Sequence, residues 1–369
     1  MTKTRRTARD GVASVTVEDV AKVADVSRAT VSRVVNRSPR VSPEAKAAVM
    51  AAIDQLGYVP NRAARSLMTR RSDSVGVIII ESGERLFGDP YFGQLMVGIS
   101  TELSEREIQL VVLMAQTPRE LVRIGQYVAA GRVDGAILVN PRREDSLPER
   151  LVRGGVPIVL SGRPPSGSSV SYVDADNRTG ARTAVTHLIG IGRQSIATIH
   201  GTLGLTSAED RLDGYRDALV GAGIPRDPTL EAAGDYNPPT AAQAMQALLD
   251  RHPGLDGVFA ASDSMADAAI RVIRDTGRRV PQDVAVVGFD DSPVALLTRP
   301  TLSTIRQPTI AMGREMARLV LERIGHPDEA ARQVVFATEL VVRESSGPGP
   351  DRGERAAPPR GDLANVSRE

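Results

Sequence analysis

From Val75 onward, short apolar runs alternate with amphipathic stretches of helical period. The runs are strand-length segments: SVGVIII, IQLVVLM, DGAILVN, VPIVLS, QSIATIH, DGVFAAS and DVAVVGFD. A strand with one face in water alternates apolar and polar residues, whereas a strand that is buried on both faces is apolar throughout. Continuous apolar strands separated by helices therefore predict an α/β fold built from doubly wound parallel sheets.

Polar residues stand where these strands end. In doubly wound sheets the ligand crevice lies beyond the carboxyl ends of the strands, so polar residues at this position are candidates for ligand binding. We expect a crevice bordered by these strand-end residues, of which Asp263 is expected to be structural: Glu81, Asn140, Ser161, Ser262, Asp263 and Asp290.

Charge is distributed unevenly along the chain. Residues 1–71 carry fourteen Lys or Arg and six Asp or Glu, a net charge of +8, and the whole chain sums to +1. Frequent arginine alone does not explain this asymmetry. A basic head on an acidic body favours a polyanionic partner for the head.

Composition excludes several classes of protein. The chain has no cysteine, which rules out disulfides and thiolate metal sites and agrees with a reducing cytoplasm. The four histidines show no metal-ligand spacing, so we expect no metal. No apolar run is long enough to cross a bilayer, and the charged start MTKTRRTARDG is not a secretory signal.

Three short helices are predicted in the head. The first begins at Thr16, with an acid three residues later, an N-cap pair that satisfies first-turn amides. The second begins at Ser27. The third begins at Ser42, with proline at its first helical position, and ends at Gly57.

The second of these helices is amphipathic. Val31, Val34 and Val35 fall on one face, and polar or small residues fall on the other: Arg28, Ala29, Ser32, Arg33 and Asn36. A short turn between two helices, the second polar outward, predicts a helix-turn-helix whose second helix enters a DNA major groove. The alternative is the solvated outer face of a small helical bundle.

The head resembles a known family. The segments VTVEDVAKVADVSRATVSRVVN and VSPEAKAAVMAAIDQLGYVPNRAARSL are similar, nearly position for position, to the DNA-binding head of the lactose/galactose repressor (LacI/GalR) family. One departure is Asp25, where the family usually has glycine in the turn. Aspartate tolerates a left-handed backbone better than most residues, so we expect the turn to persist.

The resemblance implies roles in DNA binding. Arg28 and Ala29 occupy the positions that discriminate bases, and Arg33 matches an arginine that commonly contacts guanine. Leu67, in ARSL, matches the leucine with which a hinge helix wedges a central base step from the minor groove. The remaining expected DNA contacts are Thr16, Ser27, Thr30, Ser32, Asn36, Asn61 and Ala64.

The body resembles the periplasmic-binding-protein-like sensor of the same family, as far as about residue 343. The motifs that carry this resemblance are DPYFGQLMVGI, VDGAILVN, DNRTG, RLDGYRDAL, ASDSMADAAI, VPQDVAVVGFDD and TIRQP. Matched positions imply an effector pocket with these residues: Asp89, Tyr91 or Phe92, Asn140, Ser161, Arg163, Ser207, Arg211, Tyr236, Ser262, Asp290 and Gln307.

Two of these residues suggest the chemistry of the effector. The guanidinium of Arg211 and the carboxylate of Asp290 would face one another, a pairing that suits vicinal hydroxyls, which both donate and accept hydrogen bonds. Tyr236 matches an aromatic platform for an apolar sugar face. We expect a sugar, a polyol or a nucleoside. The alternatives are that Asp290 merely caps a helix and that Arg211 forms a structural ion pair.

The expected organisation has five parts. They are a disordered basic arm over 1–14, a helix-turn-helix head over 15–60, a hinge helix or linker over 61–73, a sensor core over 74–343 and a disordered tail over 344–369. Within the core we expect an N-subdomain over about 74–173 and 308–332 and a C-subdomain over about 174–307 and 333–343.

The expected function is that of a cytoplasmic transcriptional regulator, most often a repressor in this family, whose operator affinity is controlled by a small effector. Its partners would be double-stranded operator DNA, the effector and a second copy of the chain. A tetramer is the alternative, although the tail lacks leucine heptads. A solute-binding protein and a carbohydrate-active enzyme share this core fold. No catalytic triad, phosphate-binding glycine loop or cofactor motif is apparent.

Overall fold

The computed structural model describes residues 15–35, 40–58, 71–164 and 169–347. The chain divides into two compact units, residues 1–72 and 73–369. The predicted hinge residues Asn61, Ala64 and Leu67, and Asn36 of the head, lie outside the described residues. No helix in the described ranges has the length and apolar character needed to cross a membrane.

The first unit contains three helices, α1 (Val17–Val23), α2 (Arg28–Val35) and α3 (Pro43–Leu56). Each begins directly after the residue that the sequence predicts as its start, namely Thr16, Ser27 and Ser42. Ser42 caps α3, which ends at Gly57 with φ +62°. The helices enclose a small apolar core of Val20, Ala21, Val31, Val34, Val49, Ala52 and Tyr58.

The turn between α1 and α2 has the predicted geometry. Asp25 adopts φ +50°, the left-handed conformation that glycine usually supplies at such a turn. Thr16 and Asp19 form a reciprocal capping box at the start of α1, with the Thr16 amide donating to Asp19 Oδ2 at 2.9 Å.

The second unit contains twelve strands and ten α-helices among its described residues. The strands are β1 (Ser74–Ile80), β2 (Gln109–Ala115), β3 (Gly135–Val139), β4 (Ile158–Ser161), β5 (Ser171–Ala175), β6 (Ile196–His200), β7 (Glu231–Ala233), β8 (Gly257–Ala260), β9 (Ala285–Asp290), β10 (Ser303–Arg306), β11 (Gln333–Phe336) and β12 (Glu339–Val341). The helices are α4 (Gly83–Gly88), α5 (Pro90–Glu105), α6 (Pro118–Ala129), α7 (Leu147–Arg153), α8 (Asn177–Gly190), α9 (Thr206–Gly221), α10 (Pro238–Arg251), α11 (Asp263–Asp275), α12 (Val294–Leu297) and α13 (Thr309–Gly325).

The strands form two six-stranded sheets, one in each lobe of this unit. The first lobe has the order β11-β5-β4-β3-β1-β2 and the second has β12-β10-β9-β8-β6-β7. Every described pairing is parallel except that of β10 with β12. Each sheet lies between two apolar clusters, so its central apolar strands are buried on both faces, whereas the edge strand β2 is partly exposed. The predicted doubly wound α/β fold is confirmed.

The chain crosses between the lobes more than once, and α13 returns to the first lobe. There it packs closely on α5. The approach is so close that a Cβ atom at Gly98 would lie 2.1 Å from the Ile310 carbonyl oxygen. The two backbones therefore meet where glycine has no side chain.

Two predicted boundaries are wrong. The segment 333–343 was expected in the second subdomain, but Gln333–Phe336 pairs with β5, in the first lobe, and only β12 belongs to the second. Strand β5 also crosses the expected division at 173/174 and lies entirely in the first sheet. The segment QVVFATELVV contains two short strands that are mostly apolar, and this pattern does not indicate the sheet to which each strand belongs.

The tail was expected to be disordered from residue 344, yet the structure continues to Gly347. Ser345 is fully buried, accepts a hydrogen bond from the Ser303 amide at 2.8 Å and donates one to the Val286 carbonyl at 2.6 Å. Residues 344–347 therefore join the second lobe. The proline, glycine and charge content that begins at this point concealed their role.

Candidate functional site: a DNA-recognition helix and an effector cleft

Helix α2 presents a polar surface and buries an apolar one. Val31 and Val34 are buried in the core of the head, whereas Arg28, Ala29 and Arg33 are exposed. The Arg28 guanidinium forms an ion pair with Glu18 at 3.1 Å. Such an exposed pair contributes about 1 kcal/mol or less, so a DNA base could displace it. The face of α2 that is predicted to contact bases is therefore accessible to DNA.

Some predicted DNA contacts have structural partners within the head. The Thr16 hydroxyl donates to Asp19 at 2.7 Å. The Ser27 hydroxyl accepts from the Thr30 amide at 3.1 Å and lies 2.9 Å from the Thr30 hydroxyl. These hydroxyls cap helices, which orients the first turns of α1 and α2. Ser32 is partly buried on α2.

A polar cleft lies at the carboxyl ends of strands from both lobes of the sensor. Nine of the twelve residues named for the effector pocket line it: Asp89, Tyr91, Asn140, Ser161, Ser207, Arg211, Tyr236, Asp290 and Gln307. The Tyr91 hydroxyl lies 3.4 Å from the Ser161 hydroxyl.

Arg211 is held at the centre of the cleft by four neighbours. Its Nε donates to Asn177 Oδ1 at 2.8 Å, and its Nη1 donates to the Ala261 carbonyl at 2.6 Å and to Asp290 Oδ1 at 3.4 Å. The guanidinium carbon lies 3.6 Å from the centroid of the Phe289 ring, a cation–π contact. A buried charge needs such partners to persist, and they fix the direction in which the remaining N–H groups point.

Asp290 is the last residue of β9 and has an unusual backbone conformation. Its φ is +115°, and its Oδ1 accepts from Gln307 Nε2 at 2.6 Å in addition to Arg211. Burial raises the pKa of Asp290 to about 7, although Arg211 opposes the shift. Asp290 does not cap a helix here. Its contacts are those of a pocket acid held between two donors.

Two further acids border the cleft. Asp89 caps α5, accepting from the Tyr91 amide at 3.0 Å, and burial raises its pKa. Asp174 accepts from the amides of Arg163 and Ala175 at 3.0 and 2.8 Å, and burial raises its pKa to about 6. The cleft is acidic, and its acids are partly desolvated.

Three of the residues predicted to bind effector lie elsewhere. Phe92 is 1 % exposed in the apolar core of the first lobe, since the next position of α5 points away from Tyr91. Ser262 is buried and caps α11, accepting from the Met265 amide at 3.3 Å. The Arg163 guanidinium binds Asp210 at 2.7 and 2.8 Å, outside this cleft. Asp263 is also structural, since it accepts from the Ser292 amide at 2.7 Å.

Other lining residues were not anticipated by the sequence reasoning: Arg85, Gly162, Asp174, Asn177 and Met312. Asp174 lies near the end of β5, so the strand-end rule could have found it. Asn177 lies in the DNRTG motif and accepts from Arg211. Arg85 lies on the short helix α4, where no strand-end or periodic signal points to the cleft.

A second compartment adjoins the cleft and shares Asn140, Ser161, Gly162 and Ser207 with it. Its remaining lining combines apolar and charged residues: Pro141, Arg142, Arg143, Asp145, Pro148, Glu149, Leu160, Arg163, Pro164, Leu205 and Thr206. We call it the outer compartment. Arg163 with Asp210, and Arg143 with Glu209, form ion pairs between the lobes beside it.

A head with an exposed recognition helix, joined in one chain to a two-lobed sensor with a polar cleft, defines a ligand-responsive DNA-binding protein. Two family models match the chain: bacterial regulatory proteins of the lacI family over residues 16–61, and a periplasmic binding protein-like domain over residues 185–346.

Similar proteins have the same organisation. The transcriptional regulator CelR of Thermobifida fusca is 48% identical over 333 residues, covering 89% of this chain and 98% of CelR. The ribose operon repressor of Halalkalibacterium halodurans is 34% identical, covering 90% of this chain and 98% of that repressor.

Solved structures agree. A CelR–cellobiose complex has a TM-score of 0.72 and 46% identity, covering 90% of this chain and 99% of that one. A lac repressor dimer bound to operator and the anti-inducer ONPF has a TM-score of 0.81 and 28% identity, with the same coverage. The chain belongs to the LacI family of bacterial regulatory proteins. The predicted function, a DNA-binding transcriptional regulator controlled by a small effector, is confirmed.

Proposed function

We propose that this protein is a cytoplasmic, homodimeric repressor whose operator binding is controlled by a neutral saccharide of at least two sugar units. The observation that carries the ligand class is the buried Arg211–Asp290 pair. It presents donors and an acceptor together, as vicinal hydroxyls require. Cellobiose is the first candidate, because a 46% identical structure is a complex with that disaccharide.

The charge of the cleft favours a neutral ligand. Arg85 and Arg211 line it against the carboxylates of Asp89, Asp174 and Asp290, and Arg85 is itself bound to Glu81. The guanidiniums therefore do not outnumber the acids. A phosphorylated sugar, a nucleotide or a uronate would bring negative charge to carboxylates that are already desolvated, which is unfavourable.

The outer compartment supports a ligand longer than one ring. It shares four lining residues with the inner cleft, and its prolines and leucines offer apolar surface beside polar groups. Two of its three arginines, Arg143 and Arg163, are each paired with an acid of the second lobe, which neutralises most of its positive charge. A neutral second sugar fits this mixture of surface and polarity.

An enzyme is not supported. The relatives are transcriptional regulators. Incubation of the protein with cellobiose, followed by chromatography of the sugars, should return intact disaccharide, and accumulation of glucose would favour the enzyme.

A homodimer is supported by apolar surface on the first lobe. Strand β2 is an edge strand, and Val112 and Met114 on it are exposed, as are Val122 and Tyr127 on α6. Such a patch favours an interface between proteins. Light scattering should give twice the mass of the chain.

The ligand class is tested by thermal unfolding with glucose, cellobiose, cellotriose, maltose and glucose 6-phosphate. A ligand at 100 times its dissociation constant stabilises the protein by about 2.7 kcal/mol, which raises the midpoint by several degrees. We expect cellobiose or cellotriose to give the largest shift. Failure of all the neutral saccharides, or a larger shift with glucose 6-phosphate, would contradict the proposal.

The outer compartment is tested with matched arginine variants. Arg163→Gln removes an exposed ion pair between the lobes, whereas Arg178→Gln removes a similarly exposed pair with Asp217 within the second lobe. We expect Arg163→Gln to lower cellobiose affinity about 2- to 5-fold, to leave any glucose binding unchanged, and Arg178→Gln to change neither. Equal effects of the two variants would remove the outer compartment from the site.

DNA binding is tested by selecting duplexes from a random pool and measuring their affinity with and without cellobiose. A repressor released by its effector binds the selected duplex more weakly when cellobiose is present. An affinity unaffected by every saccharide that binds the sensor would contradict the proposed control.

A further inference from the structure

Two buried polar atoms in the cleft have no hydrogen-bond partner within the described part of the chain: Arg85 Nε and Tyr236 Oη. The Arg85 side chain is 13 % exposed and Tyr236 is 6 % exposed. Both residues line the inner cleft. Buried polar groups are nearly always hydrogen-bonded, so unpartnered donors on residues that line a ligand cleft indicate where a ligand supplies the missing partner.

The two atoms belong to different lobes. Arg85 lies on α4 of the first lobe and Tyr236 precedes α10 of the second. The Arg85 guanidinium carbon lies 4.4 Å from the centroid of the Tyr236 ring, a cation–π contact that joins the lobes across the cleft.

Neighbouring residues restrain the position of each side chain. Arg85 is ion-paired with Glu81, which also accepts from Asn140 Nδ2 at 3.2 Å. Tyr236 adopts φ +54°, and a Cβ atom at Gly201 would lie 2.1 Å from its ring. Neither side chain can turn away to find another partner without losing these contacts.

We propose that Arg85 is an effector-binding residue, and that Arg85 Nε and the Tyr236 hydroxyl together bind a hydroxyl-bearing edge of the saccharide from the two lobes. The inference rests on the proposed saccharide effector and adds a contact from α4 to it. The pair is not an anion site, because Glu81 binds the guanidinium and Asp89 Oδ2 lies 4.0 Å from Arg85 Nε. A hydroxyl, which both accepts and donates, fits between these groups.

The Tyr236→Phe variant separates a ligand contact from a structural one. Removal of a hydroxyl that has no protein partner relieves a desolvation cost, so the ligand-free protein should unfold at the same temperature or a higher one. Cellobiose affinity, measured by calorimetry, should fall about 2- to 12-fold, the equivalent of one neutral hydrogen bond. A lower unfolding temperature without cellobiose would show that the hydroxyl has a protein partner and would overturn the inference.

The Arg85→Lys variant keeps the positive charge near Glu81 but lacks Nε. We expect cellobiose affinity to fall about tenfold or more, as for a charged hydrogen bond. Matched controls are Tyr127→Phe, on exposed α6, and Arg178→Lys, in an exposed ion pair of the second lobe. Neither control should alter binding.

The outcomes distinguish the inference from the proposed function. If wild-type protein binds cellobiose and both Arg85→Lys and Tyr236→Phe bind it equally well, the two-lobe contact is wrong and the saccharide effector stands. If the wild type binds no saccharide, the proposed function fails, and with it the contact to a sugar.

Discussion

The titration of Asp290 should make effector binding depend on pH. Burial raises the pKa of this carboxyl to about 7, and its Oδ1 is occupied by Arg211 and Gln307. A sugar hydroxyl would therefore donate to Oδ2. The ionised carboxylate is the better acceptor, so a bound saccharide favours the ionised form and lowers the pKa of Asp290 in the complex.

The size of the effect follows from the fraction of ionised Asp290. With a pKa of about 7, roughly ten-elevenths of the carboxyl is ionised at pH 8 and about one-eleventh at pH 6. Affinity that requires the ionised form therefore falls about tenfold from pH 8 to pH 6. Binding at pH 7 should release about half a proton, because the complex binds fewer protons than the free protein.

Calorimetry with cellobiose at pH 6, 7 and 8, in buffers of different ionisation heat, measures both quantities. The Asp290→Asn variant should bind more weakly, with little pH dependence over this range. Asp174, whose pKa of about 6 lies lower, is half protonated at pH 6, so its titration changes affinity by at most about 2-fold between pH 8 and pH 6. Constant wild-type affinity between pH 6 and 8, without proton release, would refute the role of Asp290.

Three further changes, and one control substitution, test other parts of the molecule. Arg33→Gln should reduce discrimination between selected and unrelated duplexes by about 1–3 kcal/mol in mobility-shift titrations. Lys46→Gln, which removes an equal charge from α3, should weaken both alike if it has any effect. Leu67→Ala should weaken binding to selected duplexes while sparing low-salt binding to any duplex, and equal losses would argue against a wedge. Gly201→Ala should abolish cellobiose binding in calorimetry, because the added Cβ collides with the Tyr236 ring. Unchanged binding would show that this ring is free to move.

The parts of the site that the sequence predicts are those that follow from strand geometry. Asn140, Ser161 and Asp290 stand at or just after the ends of apolar runs, and parallel strands bring such ends to one edge of a sheet. The head was predictable for a similar reason. Caps such as Thr16 and Ser42 act on amides within one turn, so their signal is local.

Residues that reach the cleft from helices were harder to place. Tyr91 and Phe92 are adjacent in α5, and a step of one residue turns a side chain by about 100°, from the cleft into the core. Arg85 enters the cleft because Glu81 and Tyr236 hold it, and both contacts depend on tertiary structure. Neither the type of a residue nor its spacing encodes such partners. The same limit explains the wrong assignment of β11, because its sequence pattern predicts a strand but does not identify the sheet in which the strand pairs.

The distribution of polar groups between the lobes bears on how an effector controls DNA binding. An effector shifts a conformational equilibrium only by the difference in its affinity for the two arrangements. Here the donors and acceptors come from both lobes: Arg85 and Asn140 from the first, Arg211, Tyr236 and Asp290 from the second. A saccharide that forms hydrogen bonds with both sets binds best when the lobes have one particular spacing, so its affinity depends on that spacing.

Suppose that operator DNA favours a different spacing. Linkage then requires that DNA weaken saccharide binding by the same factor by which the saccharide weakens DNA binding, typically 5- to 150-fold, or about 1–3 kcal/mol. A contact made by one lobe alone adds affinity without adding control. The two-lobe pair of Arg85 and Tyr236 should therefore contribute more to control than its share of the binding energy suggests.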